Sequence, residues 1–80
     1  LIREANQGKG AAYLELARRF NQGRGVKPDS IESYKWYTLA FNHGLEEAFL
    51  ERSEMKKSHD LMLDDIVEAK KRVREFKPKP

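Results

Sequence analysis

Several groups of residues in this 80-residue sequence have types and spacings that chemistry uses. Gly23-Arg24-Gly25 has the spacing of a phosphate loop, whose backbone amides cradle an anion at the start of a helix. Such a loop follows a strand, whereas a helical pattern precedes this one, so the glycines read as a turn. His43 and Glu46 stand at a spacing found in metal sites, but Gly44 breaks the helix between them, and His43 suits the negative end of a helix dipole. Glu46-Glu47 and Asp64-Asp65 pair carboxylates as acid–base catalysis would require. Adjacent helical positions point about 100° apart, and both pairs fall in first turns where acids complement the dipole. Trp36 and Tyr37 have the character of a stacking platform, yet their spacing assigns them to a packed helix face.

The basic residues Lys70, Arg74 and Lys77 are expected on one helical face, where they could meet a phosphate backbone, an anionic lipid surface or an acidic protein. Phe76 is the aromatic beside them, and its spacing places it in the packed stripe rather than against nucleic-acid bases. The preferred reading is a solvated face whose charge suits the helix dipole.

The elements that must carry these residues are helical. Hydrophobic residues make up 39% of the chain and charged residues 36%, a mixture that builds amphipathic helices with wet outer faces. No apolar run approaches the roughly 18 residues that a membrane crossing needs. There is no cysteine, which removes disulfides, thiolate nucleophiles and zinc–thiolate sites together. The net charge is +3, and residues 69–80 alone carry Lys70, Lys71, Arg72, Arg74, Lys77 and Lys79 against Glu75, so the basicity belongs to the C-terminal segment.

Sliding the chain against itself by 36 residues aligns Gly8 with Gly44, Ala12 with Ala48, Tyr13 with Phe49, Leu14 with Leu50 and Glu15 with Glu51. A period of that size signals a helical solenoid. Ala12, Tyr13, Leu16, Ala17 and Phe20 form the stripe of a first helix, which stops at the glycines 23 and 25. Asp29 caps a second helix, with Pro28 before it and Glu32 three residues on, and Ser33, Trp36, Tyr37, Ala40 and Phe41 give its apolar face. A third helix over 45–57 turns Leu45, Ala48, Phe49 and Arg52 inward. A closing helix over 60–76 packs through Met62, Ile66, Ala69, Val73 and Phe76, with Ser58 or Asp60 as its cap.

On Ala12, Leu16-Ala17, Phe20, Gly23-x-Gly25-Val26, Asp29, Trp36, Ala40, Gly44 and Ala48, the sequence resembles the Sel-one-like repeat family, a branch of the tetratricopeptide superfamily. The resemblance implies an all-α superhelix of antiparallel helix pairs, here as a solenoid fragment with a C-terminal capping helix. Residues 1–7 would end a preceding B helix, 10–43 would form one complete repeat, 45–57 the A helix of a second, and 77–80 a frayed basic tail. It also implies an adaptor or scaffold that binds other proteins, in relatives that act in the bacterial envelope or in secretory quality control.

The expected function is therefore non-catalytic: binding another protein, or a peptide segment of one, without cofactor, metal or small-molecule substrate. Leu14, Arg18 and Asn21 share a helix face left over from the core, extended by Leu50 and Glu54 of the third helix, and this strip is the expected contact surface. Two alternatives are a structural cap or accessory subunit of a larger assembly, and electrostatic binding of nucleic acid or anionic membrane through the closing helix.

Overall fold

A computed structural model describes the backbone of residues 2–77 and the side chains of residues 9–77. Four helices follow one another, α1 (Ile2–Gln22), α2 (Ser30–Asn42), α3 (Glu46–Ser58) and α4 (Leu63–Glu75), with no strand among the described residues. The fold is all-α, as the periodicity requires.

The breaks are local in origin. Gly23 and Gly25 sit at φ +73° and +74°, a left-handed conformation that costs other residues about 1 kcal/mol or more, and they end α1. Asp29 then opens α2 from an extended conformation, and its carboxylate accepts the Glu32 N–H at 3.1 Å. Only half of the expected capping box forms. The Asp29 N–H donates to the Phe20 carbonyl, and the Glu32 carboxylate is drawn away to Arg72 and Lys35.

Two boundaries depart from expectation. The first helix is continuous from Ile2, passing through Gly8 and Gly10, so residues 2–7 do not end a separate helix; Leu1 lies outside the described residues. Gly10 earns its place by packing, since a Cβ there would stand 3.0 Å from Leu45 Cγ. At α4, neither Ser58 nor Asp60 caps. Ser58 is the last residue of α3 and Asp60 adopts φ +50° in the connecting turn, while the Asp65 carboxylate accepts the Met62 N–H at 3.2 Å.

The packing has α2 at its centre, with α1, α3 and α4 each laid against it. Ser33 is fully buried and donates to the Ala17 carbonyl at 2.8 Å, which lets α1 and α2 approach closely. Tyr34 and Thr38 of α2 meet Arg52 of α3, whereas Glu32, Lys35 and Trp36 meet Arg72 of α4 and Phe76 just past its end. Thus α3 and α4 lie along different sides of α2 rather than pairing with each other. Leu14, Ala17, Tyr34, Tyr37, Ala40, Ala48, Met55, Ile66 and Ala69 form the core.

The stripes differ from expectation in orientation. On α1 the buried face is Gly10, Leu14 and Ala17, while Ala12 is exposed and Tyr13, Leu16 and Phe20 are half-buried. The apolar positions of α1 cover so much of its circumference that periodicity cannot choose which side meets α2. Phe41, Phe49 and Met62, expected inside, are exposed. For Phe41 and Phe49 the reason is that no described helix lies beyond α3. Met62 precedes the first turn of α4, outside the helical face that carries the buried Ile66 and Ala69.

Candidate functional site

Helices α1 and α3, each packed on α2, are joined by a side-chain bridge. Arg18 donates through Nε to Glu51 Oε1 at 2.9 Å and through a terminal nitrogen to Oε2, the two-pronged geometry in which a planar guanidinium fits a carboxylate. Tyr37 of α2, 1% exposed, donates its hydroxyl to the same Oε1 at 3.2 Å. Burial and the neighbouring Glu51 carboxylate push the Tyr37 phenol up to about 12. The hydrogen bonds from Arg18 hold the Glu51 carboxyl below the ordinary range against the opposing effect of burial, and the bridge raises the Arg18 guanidinium.

Beside this bridge lies a pocket of about 380 Å³ between the two helices. Its α1 wall is Asn21 and Gln22, its α3 wall is Glu54, Met55 and Ser58, and Tyr37 and Glu51 form the floor. His59 closes one end through a 2.8 Å hydrogen bond between Nε2 and Asn21 Oδ1. The lining is mainly polar, suited to hydrogen bonding rather than to enclosing an apolar ligand.

Of the expected contact strip, Arg18, Asn21 and Glu54 come together at this groove. Leu14 does not; at 5% exposure it is a core residue, because the face it shares with Gly10 and Ala17 is the one α2 covers. Leu50, 65% exposed, does not line the groove and belongs instead to an open apolar patch with Phe41, Phe49 and Glu46. Phe41 and Phe49 meet there at a tilt with ring centres 5.5 Å apart, and the Arg52 guanidinium lies 5.2 Å from the Phe49 ring. His59, Ser58 and Gln22 were missed by the sequence reading. They lie at the ends of their helices, where no periodic signal marks a residue that lines a groove.

The other candidates resolve into structural contacts. His43 caps α2 and meets the Tyr13 ring edge-on at 5.2 Å. Among the described residues, no group of three or more His, Asp or Glu side chains is placed to hold a metal ion, and no helix is long and apolar enough to cross a membrane. Trp36 is half-buried between Tyr13 and Phe76, at ring-centre distances of 5.5 and 5.3 Å, with the Lys35 ammonium 4.1 Å above it. Lys70, Arg74 and Lys77 are all exposed, but α4 ends at Glu75 and Phe76 is extended, so Lys77 does not share a helical face with the other two. Pro78, Lys79 and Pro80 of the expected frayed tail lie outside the described residues. No protein-family model matches this chain, and neither a curated protein nor a solved structure matches it at a significant level.

Proposed function

We propose that this chain is a non-catalytic protein-binding module, an adaptor or scaffold of the Sel-one-like repeat type, whose groove between α1 and α3 takes an extended segment of a partner. The supporting observation is the Arg18–Glu51–Tyr37 bridge, which fixes two helices side by side and leaves Gln22, Glu54 and Ser58 along an open polar groove. Glu54 makes no salt bridge among the described residues, and Glu47 stands exposed one turn before Glu51. With Glu51 already neutralised by Arg18, the surplus charge is negative and suits a partner segment carrying lysine or arginine. Glu51 is engaged by Arg18 and Tyr37, and His59 Nε2 bonds Asn21, with no hydrogen bond from Ser58 to His59 among the described residues, which favours binding over catalysis.

Panning the purified chain against random displayed peptides tests this reading. Enrichment of basic peptides, with affinity lowered at least tenfold by Glu54→Lys and unaffected by Lys70→Gln, supports it. No enriched peptides, or enrichment indifferent to Glu54→Lys and Gln22→Ala, would reject the groove.

A second reading rests on exposed Lys70, Lys71 and Arg74, which make no salt bridge among the described residues and offer a basic surface to nucleic acid or anionic lipid. Steeply salt-dependent affinity for duplex or for anionic vesicles, lost in the triple glutamine variant, would select it.

A further inference from the structure

The large exposed hydrophobic residues fall into two patches of opposite electrostatic character. Phe41, Phe49 and Leu50 form the first, against the acidic first turn of α3, where Glu46 and Glu47 are exposed. Met62, Leu63 and Val67 form the second, on α4. There Leu63, 75% exposed, and Val67, 55% exposed, continue at helical steps of four, three and four into Lys70 and Arg74, so one face is apolar at its start and basic at its end. Lys71 flanks the same face. Contiguous patches of this kind, unlike single exposed leucines, mark association surfaces.

We infer that the α3 patch of one copy docks on the outer face of α4 of a second copy. The two surfaces are complementary in charge and in apolar character. With the two helices antiparallel and Leu50 over Val67, Glu46 and Glu47 at the start of α3 face Lys71 and Lys70 at the end of α4, with Arg74 one turn beyond, and Phe49 lies beside Val67. At the opposite end, exposed Lys57 of α3 stands about one turn beyond exposed Asp64 of α4, a gap its long side chain can span. The antiparallel helix dipoles add to this match. A parallel arrangement would oppose Glu46 and Glu47 to Asp64 and Lys57 to Arg74, bringing like charges together. The Arg52 guanidinium does not oppose the docking, because it lies on the Tyr34 side of Phe49 and donates to Thr38.

Because α3 and α4 lie on different sides of α2, one copy presents the two surfaces in different directions. The contact is therefore head-to-tail and leaves a free surface of each kind at the ends of the assembly. A junction built from one helix face on each side belongs to the small, transient class of interfaces, with a dissociation constant on the order of 100 µM. The α3 surface runs from Leu50 past Glu54 to Lys57 and so borders the α1–α3 groove, but self-association is read with the chain alone, so its failure is distinguishable from failure of peptide binding in the groove.

Sedimentation of the whole chain from about 10 µM to about 1 mM, at low and high salt, tests the inference. The weight-average mass is expected to rise with concentration above the 9.4 kDa of one chain, and the rise is expected to weaken in high salt. Leu50→Asp and Val67→Asp are each expected to weaken association at least tenfold; both sites are exposed, and an unchanged helical circular dichroism spectrum confirms folding. Glu46→Lys with Glu47→Lys, and separately Lys70→Glu with Arg74→Glu, are each expected to yield monomers, while mixing the two variants restores association. A wild-type chain that stays monomeric throughout overturns the proposal. So does association lost with Leu50→Asp but kept with Val67→Asp, which would mean that α3 patches pair with each other. Failure of the mixed charge variants to associate, or vesicle binding that depends on Val67 while the chain stays monomeric, overturns it as well.

Discussion

Arg18 of α1 grips Glu51 of α3 with two hydrogen bonds across 33 residues of sequence, and Tyr37 of α2 reaches the same carboxylate, so one acid ties three helices together. Both partners of the ion pair remain about one-third exposed, which limits its worth through solvent screening. A double-mutant cycle with Arg18→Met and Glu51→Gln is expected to return a coupling of about 1 kcal/mol in urea unfolding. A coupling indistinguishable from zero would mean that the pair orders the groove without stabilising the fold.

The depressed carboxyls of Glu51 and Glu32 imply acid sensitivity. Arg18 lowers the first; for the second, burial works in the opposite direction and is overcome by hydrogen bonds from Lys35 and Arg72. A carboxyl whose folded pKa lies below its unfolded value contributes stability above the unfolded value and loses it as pH falls through the folded one. The melting temperature is therefore expected to fall below about pH 4.5, the ordinary value for glutamate. Glu51→Gln is expected to be less stable at pH 7 and to show a shallower acid limb; an unchanged limb would remove Glu51 from the explanation.

On the alkaline side, Tyr37 acts in the opposite sense. Its phenol titrates near 12 in the folded chain, so the stability it contributes is complete below about pH 10 and is lost as pH rises through the folded value. Ultraviolet titration of the three tyrosines is expected to contain a late component that Tyr37→Phe deletes. Persistence of that component in the variant would assign it elsewhere.

The docking of α4 can be read from the single tryptophan. Phe76 lies edge-on to Trp36 and to Tyr13, at ring-centre distances of 5.3 and 5.7 Å. Phe76→Ala is expected to cost about 2 kcal/mol, less than for a fully buried phenylalanine, and to move Trp36 emission to the red as water reaches the indole. If emission is unchanged while stability falls, Phe76 acts on α4 alone.

The turn after α1 separates conformation from space. Gly23→Ala and Gly25→Ala face the same left-handed strain, at about 1 kcal/mol, but a Cβ at position 23 would lie 2.7 Å from Pro28 Cγ, whereas nothing lies within 4 Å of one at position 25. Gly23→Ala is expected to lower the urea midpoint clearly more than Gly25→Ala. Equal effects would show that Pro28 yields without cost.

What the sequence by itself determined is what neighbouring residues determine. Glycines at positive φ, Asp29 beside Pro28, and acids in first turns act within one turn of chain, so α2, α3 and α4 fall within a few residues of their expected bounds. The side of each helix that meets the core was a tertiary decision. Leu14 and Leu50 align at the 36-residue offset and have the same chemistry, yet one is buried because α2 covers its face and the other is exposed because α4 lies along a different side of α2. The same reason governs the candidate site. Arg18 and Asn21 were legible only as part of a strip with Leu14, which the core takes, and their partners Glu51 and His59 lie more than thirty residues away, so only the packing of α1 and α3 on α2 around Tyr37 brings them together.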